Sequence, residues 1–439
     1  MTSARTRYGL MASAALCLLI GGAGRALADD IAPARQLLRS AVESLCPEAI
    51  LEPQTLTGRL TGPLADFTLT GEVAYGPSEG AWVRRELRLE DAASDRLLLV
   101  SATRNPTGLR RIVFEVHDLT AARPVMTLLA GGDCAPQHAR AIRYDTEGRA
   151  LELLLFEADL KTLQAVEPLN PPVPEGRDTA GVTVAQIDSG VNYLLPEIAA
   201  RLARDGAGRP LGRDLWDDDA RPFDGDTGRS PFFPIRHGTP VASLLVQEAP
   251  QMRLLPIRYP RPDMTRMAEA VEIAAAAGAR VVAMPLGSRN ARDWEAFADA
   301  ARRHPDLLFV VSAGNDGQDI DSTPVYPAAL ELDNLVVVTS ADDFGRLAPG
   351  SNWGRDSVDL MVPAEGVEVT DYRGARGTAS GSSYAVPRVA ALAARLLAKN
   401  PNWTTAKLRA ALFARAVPPL ERGAPRVAVG WIPNPADDR

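Results

Sequence analysis

Four prolines in seven residues, Pro168-Leu-Asn-Pro-Pro-Val-Pro174, constrain this 439-residue chain more than any other feature. Such a run can be neither helix nor central strand, because each proline fixes φ and removes a backbone donor. It reads as a stiff extended linker, 166–180, and the pattern on its two sides differs. Before it, residues 31–46 place Leu37, Leu38, Ala41, Val42 and Leu45 on one helical face. Period-two segments follow: Phe67 and Leu69 against Thr68 and Thr70, then Val73 and Tyr75, then Ile112, Phe114 and Val116. Turn signals separate them at Gly76-Pro77 and at Asn105-Pro106-Thr107-Gly108. The spacing predicts a small α+β domain over 29–165 with an antiparallel sheet.

After the linker, short apolar runs alternate with Ala-rich helical ones. Strands are expected at 182–187, 252–257, 280–284, 307–312 and 335–339, with helices at 264–277 and 293–303. This alternation predicts an α/β domain over 181–417, a doubly wound, mostly parallel sheet with helices on both faces, and a tail over 418–439. In such sheets functional groups collect at the carboxyl ends of the strands.

The N-terminus reads as an export signal. Arg5 and Arg7 precede an apolar run from Leu10 to Ile20, and Ala26-Leu27-Ala28 offers a small-x-small cleavage site. The run is too short for a comfortable permanent span, so no membrane anchor is expected after cleavage at residue 28. A lipoprotein reading fails because Leu16, not a small residue, precedes Cys17. The expected location is therefore periplasmic or secreted. Residues 1–28 carry three Arg and no acid, so their removal takes the net charge from −7 to −10. That balance gives no basic footprint and argues against nucleic acid as a partner. Cleavage also leaves two cysteines, Cys46 and Cys134, enough for one disulfide in an exported protein, with two buried thiols as the alternative. Without paired His spacing they do not make a zinc site.

Several strand ends carry chemistry. The strand 182–187 runs into Asp188-Ser189-Gly190, where a buried carboxylate can hold an imidazole. Arg236-His237-Gly238-Thr239-Pro240 opens a helical run, with Thr239 able to cap and Pro240 suited to a first helical turn. Val310-Val-Ser312 leads to Ala313-Gly314-Asn315, whose amide is a candidate donor to a developing oxyanion. Gly377 to Leu397 begins with small residues and becomes an apolar run with Val386, Val389, Leu392 and Leu396 at helical spacing. A serine at such a helix start sits among outward backbone N–H groups. Each feature alone has an ordinary reading as a turn or cap; their combination does not.

Together AQIDSGV (185–191), HGTPVASL (237–244), VVSAGNDG (310–317) and GTASGSSYAVPRVAAL (377–392) resemble the subtilisin-like serine proteases, the subtilases. The order Asp, His, Asn, Ser is that family's own. The resemblance covers about 180–415. It implies Asp188 as orienting acid, His237 as base, Ser383 as nucleophile and Asn315 as oxyanion donor. Ser383 is the second serine of Gly381-Ser382-Ser383-Tyr384-Ala385-Val386-Pro387, and Ser382 takes the family's Thr position. Leu286-Gly287 in VVAMPLGS (281–288) would pair with an extended polypeptide substrate, and Ala313-Gly314 would line the site. The chain departs from the family at Ala283, Pro285, Pro240 and Tyr384. The implied function is an exported serine endopeptidase working through an acyl-enzyme, with no cofactor needed for catalysis. The alternative is a pseudoprotease that binds peptides or a partner protein in the same cleft without cutting; Pro285 and Tyr384 are the features that point there. The carboxylate-rich loop 214–226 is a candidate for structural calcium, with a solvated acidic loop as the plainer reading.

Overall fold

A computed structural model describes residues 31–56, 60–77, 81–418 and 426–437. The expected export signal and its cleavage site lie outside them. The chain forms two compact units, divided between Leu169 and Asn170.

The first unit is one helix on one antiparallel sheet. Helix α1 (Ala32–Leu45) has Pro33 in its first turn, where the missing N–H costs nothing, and buries Leu37, Leu38, Ala41 and Leu45. The eight strands are β1 (Thr68–Tyr75), β2 (Arg84–Asp91), β3 (Arg96–Asn105), β4 (Gly108–Asp118), β5 (Arg123–Gly131), β6 (Pro136–Tyr144), β7 (Ala150–Glu157) and β8 (Leu163–Pro168), and they pair in sequence order. Leu98 and Val100 of β3, Ile112, Phe114 and Val116 of β4, and Met126 and Leu128 of β5 pack in one apolar layer with α1. The turn between β3 and β4 is built by Asn105, whose Oδ1 accepts from the Thr107 backbone (3.0 Å) and hydroxyl (2.7 Å). A Cys46–Cys134 disulfide ties the end of α1 to the loop between β5 and β6, as expected.

The second unit holds an eight-stranded, all-parallel sheet. Its first seven strands are β9 (Thr183–Asp188), β10 (Arg213–Asp214), β11 (Arg253–Arg258), β12 (Val281–Met284), β13 (Leu308–Ser312), β14 (Leu335–Ala341) and β15 (Leu360–Pro363). A separate antiparallel hairpin follows, β16 (Val367–Thr370) and β17 (Arg376–Ala379), and the sheet's eighth strand is β18 (Gly430–Trp431). The order in the sheet is β10-β11-β9-β12-β13-β14-β15-β18, so the chain crosses over β9 between β11 and β12. This switch point places a crevice at the carboxyl ends of β9 and its neighbours. Strand side chains divide between two layers, with Leu308 and Val310 in one and Phe309 and Val311 in the other. Helices α2 (Gly238–Glu248), α5 (Ser382–Lys399) and α6 (Thr405–Phe413) meet the first layer; α3 (Met267–Ala276) and α4 (Glu295–Arg303) meet the second. Helix α5 buries far more than its predicted stripe. Ala385, Ala390, Ala391, Ala393 and Ala394 are buried beside Val386, Val389 and Leu392, because alanine lets neighbouring backbone approach from several sides.

Two expected boundaries change. Strand β8 runs to Pro168 and pairs with β7, a position an edge strand tolerates. The proline run beyond it is no free linker: the Pro171 carbonyl accepts from the Tyr193 hydroxyl (2.6 Å), the Pro174 carbonyl from Arg204 (2.6 Å), and Asp178 pairs with Arg253 (2.8 Å). Extended backbone rich in proline keeps its carbonyls, and these dock on the body of the second unit. The expected tail also joins the fold. Its strand β18 pairs in parallel with β15, and Trp431 enters the apolar layer facing α3 and α4. A short aromatic-bearing strand has too little periodicity to stand out in sequence.

Candidate active site

Asp188 closes β9 and is buried; its Oδ1 accepts from the Ser189 backbone N–H (2.7 Å). The His237 ring lies against it, with Nδ1 2.8 Å from Oδ1 and 3.0 Å from Oδ2. Helix α2 begins at Gly238, so His237 itself is the N-cap residue. Thr239 does not cap as expected: its hydroxyl donates to Asp224 (2.5 Å) and accepts from the Asn192 backbone (2.8 Å). Gly238 is required by close approach, since a Cβ there would fall 1.9 Å from the Gly190 carbonyl oxygen. The helix start is therefore pressed onto the turn that follows Asp188.

That junction is held by Ser189 and by Asp224, of which no sequence motif singles out the second. The Ser189 hydroxyl accepts from the backbone N–H groups of Gly238 (2.9 Å) and His237 (3.3 Å), and donates to Asp224 Oδ1 (2.6 Å). Asp224 Oδ2 accepts from the Thr239 backbone (2.9 Å). Asp224 has no solvent exposure, and burial pushes its carboxyl above the usual range. In the sequence it is only one of several acids in the loop 214–226.

The His237 ring titrates at about 9. Burial works to lower that value, but Asp188, then Asp224 and Asp226, hold the imidazolium more strongly. These carboxylates favour the charged ring, which must lose its proton to act as a base.

Ser383 is the second residue of α5, where a backbone N–H has no partner within the helix. Pro387 lies one turn on and cannot donate to the Ser383 carbonyl, which loosens the helix there. Gly381, at φ +118°, precedes the helix, and a Cβ on it would come 3.0 Å from Asn315 Oδ1. Asn315 Oδ1 accepts from the Ser382 backbone and hydroxyl, both at 2.9 Å. With its oxygen so engaged, the amide turns its Nδ2 donor away from Ser382. The Ser382 hydroxyl also meets that of Ser312 (2.6 Å), tying the end of β13 to the start of α5.

One cleft of about 550 Å³ is lined by Asp188, His237, Ser383 and Asn315, with Leu286, Gly287 and Gly314 on its walls. Ala313 departs from expectation. It is fully buried in the apolar layer behind the cleft, because the alternation of β13 carries one residue past the strand end. Tyr384 stands 6.3 Å from the His237 ring, centroid to centroid. The carboxylates of the 214–226 loop are occupied by protein partners. Asp214 and Asp217 pair with Arg258 (2.8 and 2.6 Å), Asp218 with Arg266 (2.6 Å), and Asp226 accepts from the Tyr259 hydroxyl (2.5 Å). Among the described residues no group of three or more His, Cys, Asp or Glu is arranged around a common metal position.

A sequence model of the subtilase family matches residues 179–431, more than half of the chain. The chain belongs to the subtilase family. Its second unit is thus a subtilase domain, and the doubly wound parallel sheet is that family's fold. Curated relatives include a thermophilic serine proteinase of Bacillus sp. (strain AK1), 29% identical over 240 residues, which are 52% of this chain and 54% of that one. Halolysin of Haloferax mediterranei is 30% identical over 257 residues, covering 54% and 46%. Subtilisin of Bacillus pumilus is 32% identical over 111 residues, covering 25% and 39%. The chain spans about half the length of the curated relatives it matches, or less. A solved cold adapted subtilisin-like serine proteinase shares 26% identity, with 61% of this chain and 93% of that one covered at a TM-score of 0.48. Among the described residues no helix is long and apolar enough to cross a membrane.

Proposed function

We propose that this subtilase is an exported serine endopeptidase that hydrolyses polypeptides through Asp188, His237 and Ser383. The observation that carries the reading is the Asp188–His237 pair opening on the cleft that Ser383 and Asn315 also line. His237 takes the Ser383 proton as the hydroxyl attacks a peptide carbonyl, then returns it to the leaving amine. Asp188 holds the ring and stabilises its charged form. The Asn315 amide and the Ser383 backbone N–H receive the tetrahedral oxygen, and water hydrolyses the acyl-enzyme. Leu286-Gly287 offers main-chain groups to an extended substrate. The signal-like residues 1–28 support export. The first unit occupies the place of a propeptide or a recognition module, and a processing cut within 166–180 would favour the former. Calcium has no role in this chemistry.

The test is labelling of the purified chain with a fluorophosphonate beside Ser383→Ala. Labelling confined to the parent protein is expected. A folded chain that stays unlabelled before and after limited proteolysis at 166–180 would leave a binding protein as the better reading.

A further inference from the structure

Gln186 is 1% exposed, in a buried strand whose flanking residues Val184, Ala185 and Ile187 are apolar. Alternation along β9 turns it toward the layer covered by α2 and α5, the same face as Val184 before it and Asp188 after it. Its partners in register are Pro256 of β11 and Ala283 of β12, and neither side chain can hydrogen-bond. The carboxamide therefore finds its partner off the sheet. Nε2 donates to the Gly238 carbonyl (2.8 Å), and Oε1 has no partner among the described residues.

Half of this buried amide is thus unpaired, which costs stability. Nor does the Gly238 carbonyl need the bond. It belongs to the first residue of α2, where carbonyls accept from the helix itself. An apolar side chain would serve the fold at least as well.

What the amide adds is position. Gly238 follows His237, and β9 with its turn holds both polar ends of that glycine. Ser189 Oγ accepts from the Gly238 N–H (2.9 Å), and Gln186 donates to its carbonyl. Two residues along the same strand face, Asp188 holds the His237 ring (2.8 Å). One face of β9 therefore fixes the ring of one residue and the main chain of the next. Because His237 is the N-cap of α2, the direction in which its ring leaves the backbone follows the placement of Gly238.

We propose that Gln186 is a positioning residue for the base: through the Gly238 carbonyl it keeps the His237 ring seated on Asp188 and turned to the cleft, without touching substrate. Its kinetic consequence rests on the peptidase function proposed above. A misplacement of about 1 Å in a reacting geometry costs on the order of 100-fold in rate, so even partial loss of this hold should be visible.

The experiment compares the full chain with Gln186→Met, which keeps the side chain unbranched and removes the donor, and with Gln186→Leu. Expected is a kcat on a peptide p-nitroanilide lower by about 10-fold or more, a KM within about two-fold, and a thermal midpoint at or above the parent's. A folded variant whose kcat stays within about two-fold of the parent's overturns the proposal. So does loss of folding in both variants, since the amide would then serve the fold. The low-field proton NMR signal of His237 Nδ1–H needs no turnover and separates the proposal from the peptidase reading. A parent that a fluorophosphonate does not label sinks that reading. The proposal then stands if the signal shifts or broadens in Gln186→Met, and falls if the signal is unchanged.

Discussion

The two units solve the same problem, covering an eight-stranded sheet, in opposite ways. In the first, every strand pairs with its sequence neighbour, so contacts stay local and one helix covers an apolar face. In the second, the strands pair out of order and helices cover both faces. Only that arrangement brings Asp188, His237, Asn315 and Ser383 to one cleft from four separate parts of the chain. An in-order meander scatters its loops between two edges of the sheet. A switch in strand order gathers them at one point. The contrast explains why the candidate chemistry lies in the second unit while the covalent cross-link lies in the first.

Three experiments sharpen that contrast. The largest effect is expected in the first unit. Cys46–Cys134 closes 88 residues of chain, and Cys46→Ser should lower that unit's stability by about 4.6 kcal/mol on a chain-entropy account. Denaturant unfolding followed separately in the two units should show the loss in the first, since all remaining cysteine in the described residues is in that pair. An equal loss in both would mean that the units unfold as one.

In the second unit Asn315→Ala should reduce kcat by roughly 10²–10³ with little change in KM, the loss known for removal of the corresponding side-chain donor in subtilisin. Because Asn315 Oδ1 also holds Ser382, thermal unfolding belongs beside the kinetics. A fall in stability with unchanged kcat would reduce Asn315 to a structural role.

The smallest effect is a shift in pH dependence. His237 must be neutral to accept a proton, and its ring titrates at about 9, so kcat/KM should rise with pH through that value. Asp224→Asn keeps the shape of the buried junction but removes a carboxylate that favours the imidazolium, so the rising limb should move to lower pH. The same raised value makes His237 favour the folded state below its ordinary 6.5, an advantage lost as pH rises through about 9. A limb that stays in place in Asp224→Asn would mean that Asp224 does not help to set the ring, leaving Asp188 and Asp226.

The sequence by itself determined the longer strands and helices, because alternation and helical spacing are local properties. It determined the four motifs and the turn chemistry at Asn105 for the same reason. Counting made the Cys46–Cys134 pair possible beside two buried thiols, and the structure joins it. Tertiary structure alone decided the rest. Asp224 became the anchor of the junction only when a loop from one strand met the start of a helix from another. The proline run became a docked segment because its free carbonyls found Tyr193 and Arg204. Trp431 became core, and its two-residue strand a sheet edge, only once β15 had been laid down beside it. Val325 came to line the cleft because its neighbour Tyr326 pairs with Ser288 across the fold. In each case the deciding quantity is the distance between atoms far apart in the chain, which no local pattern carries.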